Sequence, residues 1–340
     1  MKIKIKANTF LIALISISGL FTSCSGQETF GNQYLKLEKV IPLPGVKGRI
    51  DHMDVNVNEK ERIVYASALG NNSLEVVSLL QGKVIHTIGG LSEPQGVAYL
   101  PKQHEIFVAN GGNGDCYFYD AGTFKKTGAV HLPSDADDVR YDSIQGKIYV
   151  GYGEGGMAII DAVTKRLTGD IKLPAHPESF QLDIPSGRIW VNIPEAGMIA
   201  MLDEKNQKIT AEWRIHYPSA YFPMAYDKKD HRLFVGCRRP ARLLILNSEN
   251  GKEIATYLCT GDPDDLYYDS SSRRILISGG EGYVDIFQQQ HADVYRQISY
   301  LPSRAGARTS LWIPTSKEWL IAAPARLGHT AALLVYKMSN

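Results

Sequence analysis

One short element recurs seven times along this chain, and it restricts the fold more than any other feature. Each copy has a charged residue, then alternating apolar residues, then a Gly, Asn, Ala or Pro break. The copies are RIVYASA (62–68), EIFVANG (105–111), KIYVGYG (147–153), RIWVNIP (188–194), RLFVGCR (232–238), RILISGG (274–280) and EWLIAAP (318–324). Successive copies start about 40 to 45 residues apart, the spacing of four-stranded propeller blades. The flanks repeat as well. A short apolar strand precedes each copy, as in DVRYD (138–142), MAYD (224–227) and LYYD (266–269), and is joined to it by turn formers such as DSIQGK and DIPSGR. A third strand follows, such as MAIID (157–161) or LLILN (243–247), and then a fourth, such as GDIKLPA (169–175).

Each unit therefore reads as a four-stranded antiparallel meander. The seventh unit has no fourth strand of its own, because the sequence after ALLVYKM (332–338) is too short. LEKVIPLPG (37–45) has the fourth-strand pattern and supplies it from the other end. The fold class predicted is all-β: a seven-bladed β-propeller over 34–340, closed by an N-terminal strand in the last blade. Closure leaves no unpaired sheet edge between first and last blades. The 340 residues would suggest two domains on length alone, but all-β rings often exceed that scale as one unit.

The first 23 residues read as an export signal rather than as part of the fold. Lys2, Lys4 and Lys6 precede a mostly apolar stretch from Ala7 to Phe21, and Thr22-Ser23 precede Cys24. The stretch is too short for a comfortable membrane span. It resembles a bacterial lipoprotein signal, which implies that Cys24 is lipidated and becomes the mature N-terminus; Phe21 departs from the usual Leu three residues before the cysteine. Plain secretion with cleavage nearby is the alternative. Residues 24–33 then form a flexible tether. The expected location is the bacterial cell envelope, lipid-anchored and extracytoplasmic, at the outer membrane or facing the periplasm.

Removing three lysines and no acid from 37 basic and 36 acidic side chains leaves a formal charge of −2. Such a balance implies no basic face, and no nucleic-acid partner is expected. Cys116, Cys237 and Cys259 form no CxxC pair, so one disulfide among them and three buried free thiols are both open. The second strands IYVGYG, IFVANG and IWVNIP resemble the signature of YVTN-type (YncE-like) propeller repeats, and NNSLEVVSLLQGKVIHTI (71–88) looks like that family's following hairpin. The resemblance covers essentially all of 34–340 and implies the fold. It implies little about activity, because propellers host enzymes, binding platforms and scaffolds alike.

Candidate chemistry gathers where strand one opens in each blade. The paired positions are Asp51-His52, Gln95-Gly96, Asp137-Asp138, Glu178-Ser179, Phe222-Pro223, Asp264-Asp265 and Arg308-Thr309. Acids crowded at a channel mouth raise one another's pKa or recruit a cation; the plainer alternative is a water-filled channel with solvated acids. The loops after strand two add Glu154 in YGEGG and Glu281 in GGEGY, each sixteen residues after Asp138 or Asp265. Asp138, Asp265, Glu154 and Glu281 would hold a divalent cation of the Ca²⁺ or Mg²⁺ type through oxygen ligands, or reflect repeat ancestry. Basic groups gather on the same face, Arg238, Arg239 and Arg242, then Arg308, Arg326 and His329, and the arginine forks suit carboxylate or phosphate. His52, His176 and Glu178 are the candidate acid/base or metal-binding groups. His86, His104, His131, His216, His231 and His291 are expected at the surface.

Three functions follow. The first is a lipid-anchored propeller that binds a small polar molecule, a glycan or a protein through Asp51, Asp137, Asp138, Glu154, Asp264, Asp265, Glu281, Arg238, Arg308 and Arg326. The second is a metal-assisted lyase or hydrolase, such as a lactonase, working in the same pocket through His52, His176 and Glu178. The third is a quinone- or copper-dependent redox propeller. His52, Asp138, Glu178, Asp265 and Arg308 are expected to converge in one pocket.

Overall fold

Alternation of apolar and polar residues makes each segment a strand, and short turn sequences fold consecutive strands back on one another. The computed structural model describes residues 30–58, 60–326 and 328–339; the segment expected to be an export signal, and Cys24, lie outside them. Seven four-stranded antiparallel sheets form the ring. Blade one runs from Met53 to Gly89, blade two from Pro94 to His131, blade three from Ala136 to Lys172 and blade four from Phe180 to Arg214. Blades five and six follow from Ser219 to Leu258 and from Pro263 to Pro302. Blade seven contributes Ser310–Ile313, Glu318–Ala323 and Ala332–Met338, and its outermost strand is the N-terminal segment Leu35–Pro42. Leu35 pairs with Met338 and Pro42 with Ala332, so the two chain ends share one sheet. The chain is a seven-bladed β-propeller.

The hairpin joining strands one and two has a common chemistry. The residue just before each second strand has positive φ: Arg62, His104, Gly146, Gly187, His231, Arg273 and Lys317. This left-handed residue matches the turn to the twist of the flanking strands. In several blades an aspartate closes the turn. Asp142 Oδ1 accepts hydrogen bonds from the backbone N–H of Ile144 and Gln145, and Asp227 and Asp269 do the same two residues onward. This geometry also shifts the first repeat by one: Arg62 belongs to the turn, and Ile63 is the residue equivalent to Glu105.

Second strands carry the interior. Their equivalent positions Tyr65, Phe107, Tyr149, Trp190 and Phe234 are all fully buried between blades. Burying a side chain of this size contributes roughly 1.5–3 kcal/mol. The core is therefore a ring of inter-blade layers, one of which joins blades seven and one through Ile41, Val64, Leu320 and Leu333. Cys116, Cys237 and Cys259 are buried free thiols within these layers, so no disulfide forms among them.

Strand-one openings pack closely around the axis. A Cβ at Gly96 would lie 2.1 Å from the carbonyl oxygen of Asp137, so blades two and three meet there only because position 96 has no side chain. Blades two, three, five and six each carry an irregularity in the pairing of strands one and two at this level. Such bulges re-aim side chains where the strand enters the channel.

Candidate functional site

The paired opening positions separate into two layers. The first member of every pair except Asp51, which is fully buried, reaches the mouth of the channel. A cavity of about 840 Å³ there is lined by Gln95, Asp137, Glu178, Phe222, Asp264 and Arg308, together with Arg49, Asp135, Glu154, His176, Glu195 and Arg238. The second member points deeper. His52, Ser179, Pro223 and Asp265 line a separate cavity of about 940 Å³ that opens at the hairpin end. The structure therefore brings Glu178 and Arg308 together at the mouth, but places His52, Asp138 and Asp265 below them. Side chains alternate along a strand, so two neighbouring aspartates of one type part company.

Three mouth residues stand out. Potential ligand atoms of Asp137, His176 and Glu178 all lie within 4.8 Å of one another. Asp137 opens blade three, Glu178 opens blade four, and His176 sits on the segment between them. His176 Nδ1 is 2.6 Å from the Gly153 carbonyl, which fixes it as the donor, and Nε2 lies 3.5 Å from Asp137 Oδ2. Burial would lower the pKa of His176, but the Asp137 interaction and the Gly153 carbonyl outweigh it and raise it to about 9. Burial, then repulsion from Asp137, pushes Glu178 up to about 8. Burial would raise Asp137 too, yet its contact with His176 and the charges of His52 and Arg49 hold it below the ordinary range.

The arginines of the mouth are braced by acids. Arg308 contacts Asp262 at 2.9 Å, and Arg238 contacts the same carboxylate at 3.1 Å. Arg238 also donates to Asp264 and to the Pro263 carbonyl, and its guanidinium lies 3.6 Å from the centre of the Phe222 ring. Arg49 pairs with the fully buried Asp51 at 2.7 Å. Burial lifts the Asp51 carboxyl to about 7, against the pull of His52 and Arg49.

Between the cavities, His52 lies 3.7 Å from Asp51 and 3.6 Å from Asp265. Asp265 also accepts the backbone N–H of Ser310. Asp138 is buried and pairs with Arg140. Glu281 turns outward within blade six, accepting hydrogen bonds from Thr260 and Tyr300, whereas Glu154 reaches the mouth. The oxygen set Asp138, Asp265, Glu154 and Glu281 is thus not gathered at one point. The paired glycine loops have a structural reason instead: at Gly155 φ is +147°, and a Cβ would meet the Leu173 carbonyl at 2.2 Å. Arg239 and Arg326 are exposed, and Arg326 does not line the mouth cavity. His86, His104, His131, His216, His231, His291 and His329 are exposed.

The hairpin end holds groups that the repeat analysis passed over. Asp54, Arg140, Gln181 and Tyr267 occupy the fourth position of strand one and line the deeper cavity. Asp54 accepts the N–H groups of Tyr99 at 2.6 Å and Val55 at 2.8 Å. Burial raises its carboxyl to about 6 despite those bonds. Gln181 donates to the Met224 carbonyl, and Tyr267 to that of Ser310. Reading the fourth position as a column across blades would have exposed this set.

No protein-family model and no curated protein matches the chain. Among solved structures, a chain from the crystal structure of a mitotic checkpoint complex superposes with a TM-score of 0.76 at 12% identity, covering 98% of this chain and 100% of that one. A Kuenenia stuttgartiensis hydrazine synthase chain superposes with a TM-score of 0.72 at 13% identity, covering 82% of this chain and 95% of that one. At such identities the likeness is one of fold alone.

Proposed function

We propose that this protein is a lipid-anchored, extracytoplasmic propeller of the YVTN-type kind that binds a small polar ligand at the channel mouth. The observation that carries the reading is the meeting of Asp137, Glu178 and Asp264 with Arg49, Arg238 and Arg308 around one open cavity. Opposite charges on one wall suit a molecule with a cationic and an anionic end, and arginine forks favour a carboxylate or phosphate. The anchor rests on the lysine-led apolar segment before Cys24.

Thermal denaturation of the full-length protein with amino acids, amino sugars and uronic acids tests the binding. A ligand at a hundred times its Kd stabilises by about 2.7 kcal/mol. The reading fails if no compound raises the Tm, or if the rise survives the pair Glu178→Gln and Arg308→Met. Labelling with an alkynyl fatty acid tests the anchor: Cys24→Ser should abolish the label.

A second reading is a metal-assisted lyase or hydrolase in the same cavity. It is favoured by one imidazole and two carboxylates that sit together beside open space. The redox reading gains nothing from three cysteines buried in the inter-blade layers.

A further inference from the structure

We propose that Asp137, His176 and Glu178 form a binding site for a first-row divalent transition ion, of the Zn²⁺ or Mn²⁺ type, open on its cavity side. The proposal rests on the reading of the mouth as a ligand site and deepens it by naming what anchors the ligand. Four observations carry it.

The ligand atoms lie within 4.8 Å of one another. An ion with bonds of about 2.0–2.2 Å needs its donors roughly 3–4 Å apart, so small side-chain movements complete the set. The histidine is also preset. Its Nδ1–H donates to the Gly153 carbonyl at 2.6 Å, which leaves Nε2 facing the two acids. A backbone carbonyl behind the imidazole is the usual device for orienting a metal-binding histidine, and the ion takes the Nε2 lone pair by displacing the proton that His176 holds there in the free protein.

No basic side chain fills the place of the ion. Among the described residues neither Asp137 nor Glu178 is ion-paired to a lysine or arginine, because Arg238 and Arg308 are held by Asp262 and Asp264. Finally, one acid of the same cavity wall, Asp264, keeps an oxygen without a partner. The Asp264 side chain is only 10% exposed, and its Oδ2 has no hydrogen-bond partner. A buried carboxylate oxygen without a donor is costly unless a cation or ligand serves it.

The nitrogen decides the class of ion. Imidazole with two carboxylates suits Zn²⁺, Mn²⁺, Co²⁺ or Ni²⁺, whereas Ca²⁺ takes six to eight oxygens. This differs in both residues and ion from the all-oxygen set expected from the paired loops. Three protein donors leave positions free toward the cavity, where the anionic end of a ligand would bind.

The test uses the full-length protein in detergent, stripped with chelator and titrated with Co²⁺ by visible absorption and with Zn²⁺ by calorimetry. One ion per chain is expected, with excess Ca²⁺ failing to compete. His176→Ala, Asp137→Asn and Glu178→Gln should each weaken binding at least tenfold, and circular dichroism confirms that each variant keeps its sheet signal. If His176→Ala does not fold, the two carboxylate variants decide the matter. Absence of binding, or binding that the variants leave unchanged, overturns the proposal; the triad is then a histidine ion-paired to two acids. A polar-ligand Tm shift that persists without metal binding defeats this inference alone. Co²⁺ binding with no polar-ligand shift defeats the broader reading of the mouth instead.

Discussion

The two ends of the channel are built from the same strands, yet they treat their charges differently. At the mouth, acids and arginines brace one another across blades, and one oxygen of Asp264, Oδ2, has no hydrogen-bond partner. At the hairpin end, Asp54, Gln181 and Tyr267 each bond to backbone groups. Apolar Met53, Val97, Met224 and Leu266 fill out that wall. A polar group satisfied by backbone is part of the scaffold, whereas charged side chains that line open space and pair with one another can be drawn to a ligand. The contrast is what assigns binding to the mouth and support to the opposite end.

The most severe way to test this contrast is to break the support. Arg140→Met leaves Asp138, 3% exposed, without its ion-pair partner. Loss of one partner from a buried pair costs about 3–5 kcal/mol. Urea denaturation should show that loss, and a change below 1 kcal/mol would mean that Asp138 finds another partner.

Binding gives the next largest effect. At pH 9, above the Glu178 pKa of about 8, Glu178→Gln should weaken polar-ligand binding at the mouth by about 2–3 kcal/mol, since it removes one charge-assisted bond. Asp54→Asn, at the other end, should leave the Kd within twofold. Equal losses from both substitutions would erase the division between the two ends.

Asp54 also gives the hairpin end a pH signature. Burial raises its folded pKa from 3.8 to about 6. The folded state therefore holds the proton more tightly than the unfolded chain, so stability falls as pH rises from about 4 to 6 and is level above that. This is the reverse of an ion-paired aspartate. Asp54→Asn should flatten that part of the profile by on the order of 1 kcal/mol, as read from urea midpoints at pH 4.5 and 7.

The smallest effect is expected at Arg308. Its guanidinium is 30% exposed and pairs with the 34% exposed Asp262. Arg308→Met should change stability by less than about 1 kcal/mol, in keeping with exposed ion pairs. Its consequence should appear in the affinity for anionic ligands, and a large fall in Tm would place Arg308 in the scaffold instead.

Some of this organisation was written in the chain and some was not. Strand alternation is a local property, so the seven copies, their hairpins and the closing strand could be read directly. The closing strand is Leu35–Pro42 where 37–45 was expected, a shift at its ends only. The direction of each opening side chain was not legible. Asp137 and Asp138 are chemically identical in sequence, and only the placement of the strand opening against the axis tells which of two alternating side chains reaches the mouth. Glu154 and Glu281 share a motif but end in different surroundings, because Thr260 and Tyr300 draw Glu281 into its own blade.

The sequence by itself thus determined that this chain is a closed ring of seven β-blades, since periodicity and turn chemistry act between near neighbours. The meeting of Asp137, His176 and Glu178, and the separation of the channel into a binding mouth and a braced hairpin end, were decided only by the tertiary structure. Those contacts depend on how adjacent blades rotate their first strands against one another, and close packing around the axis fixes that rotation.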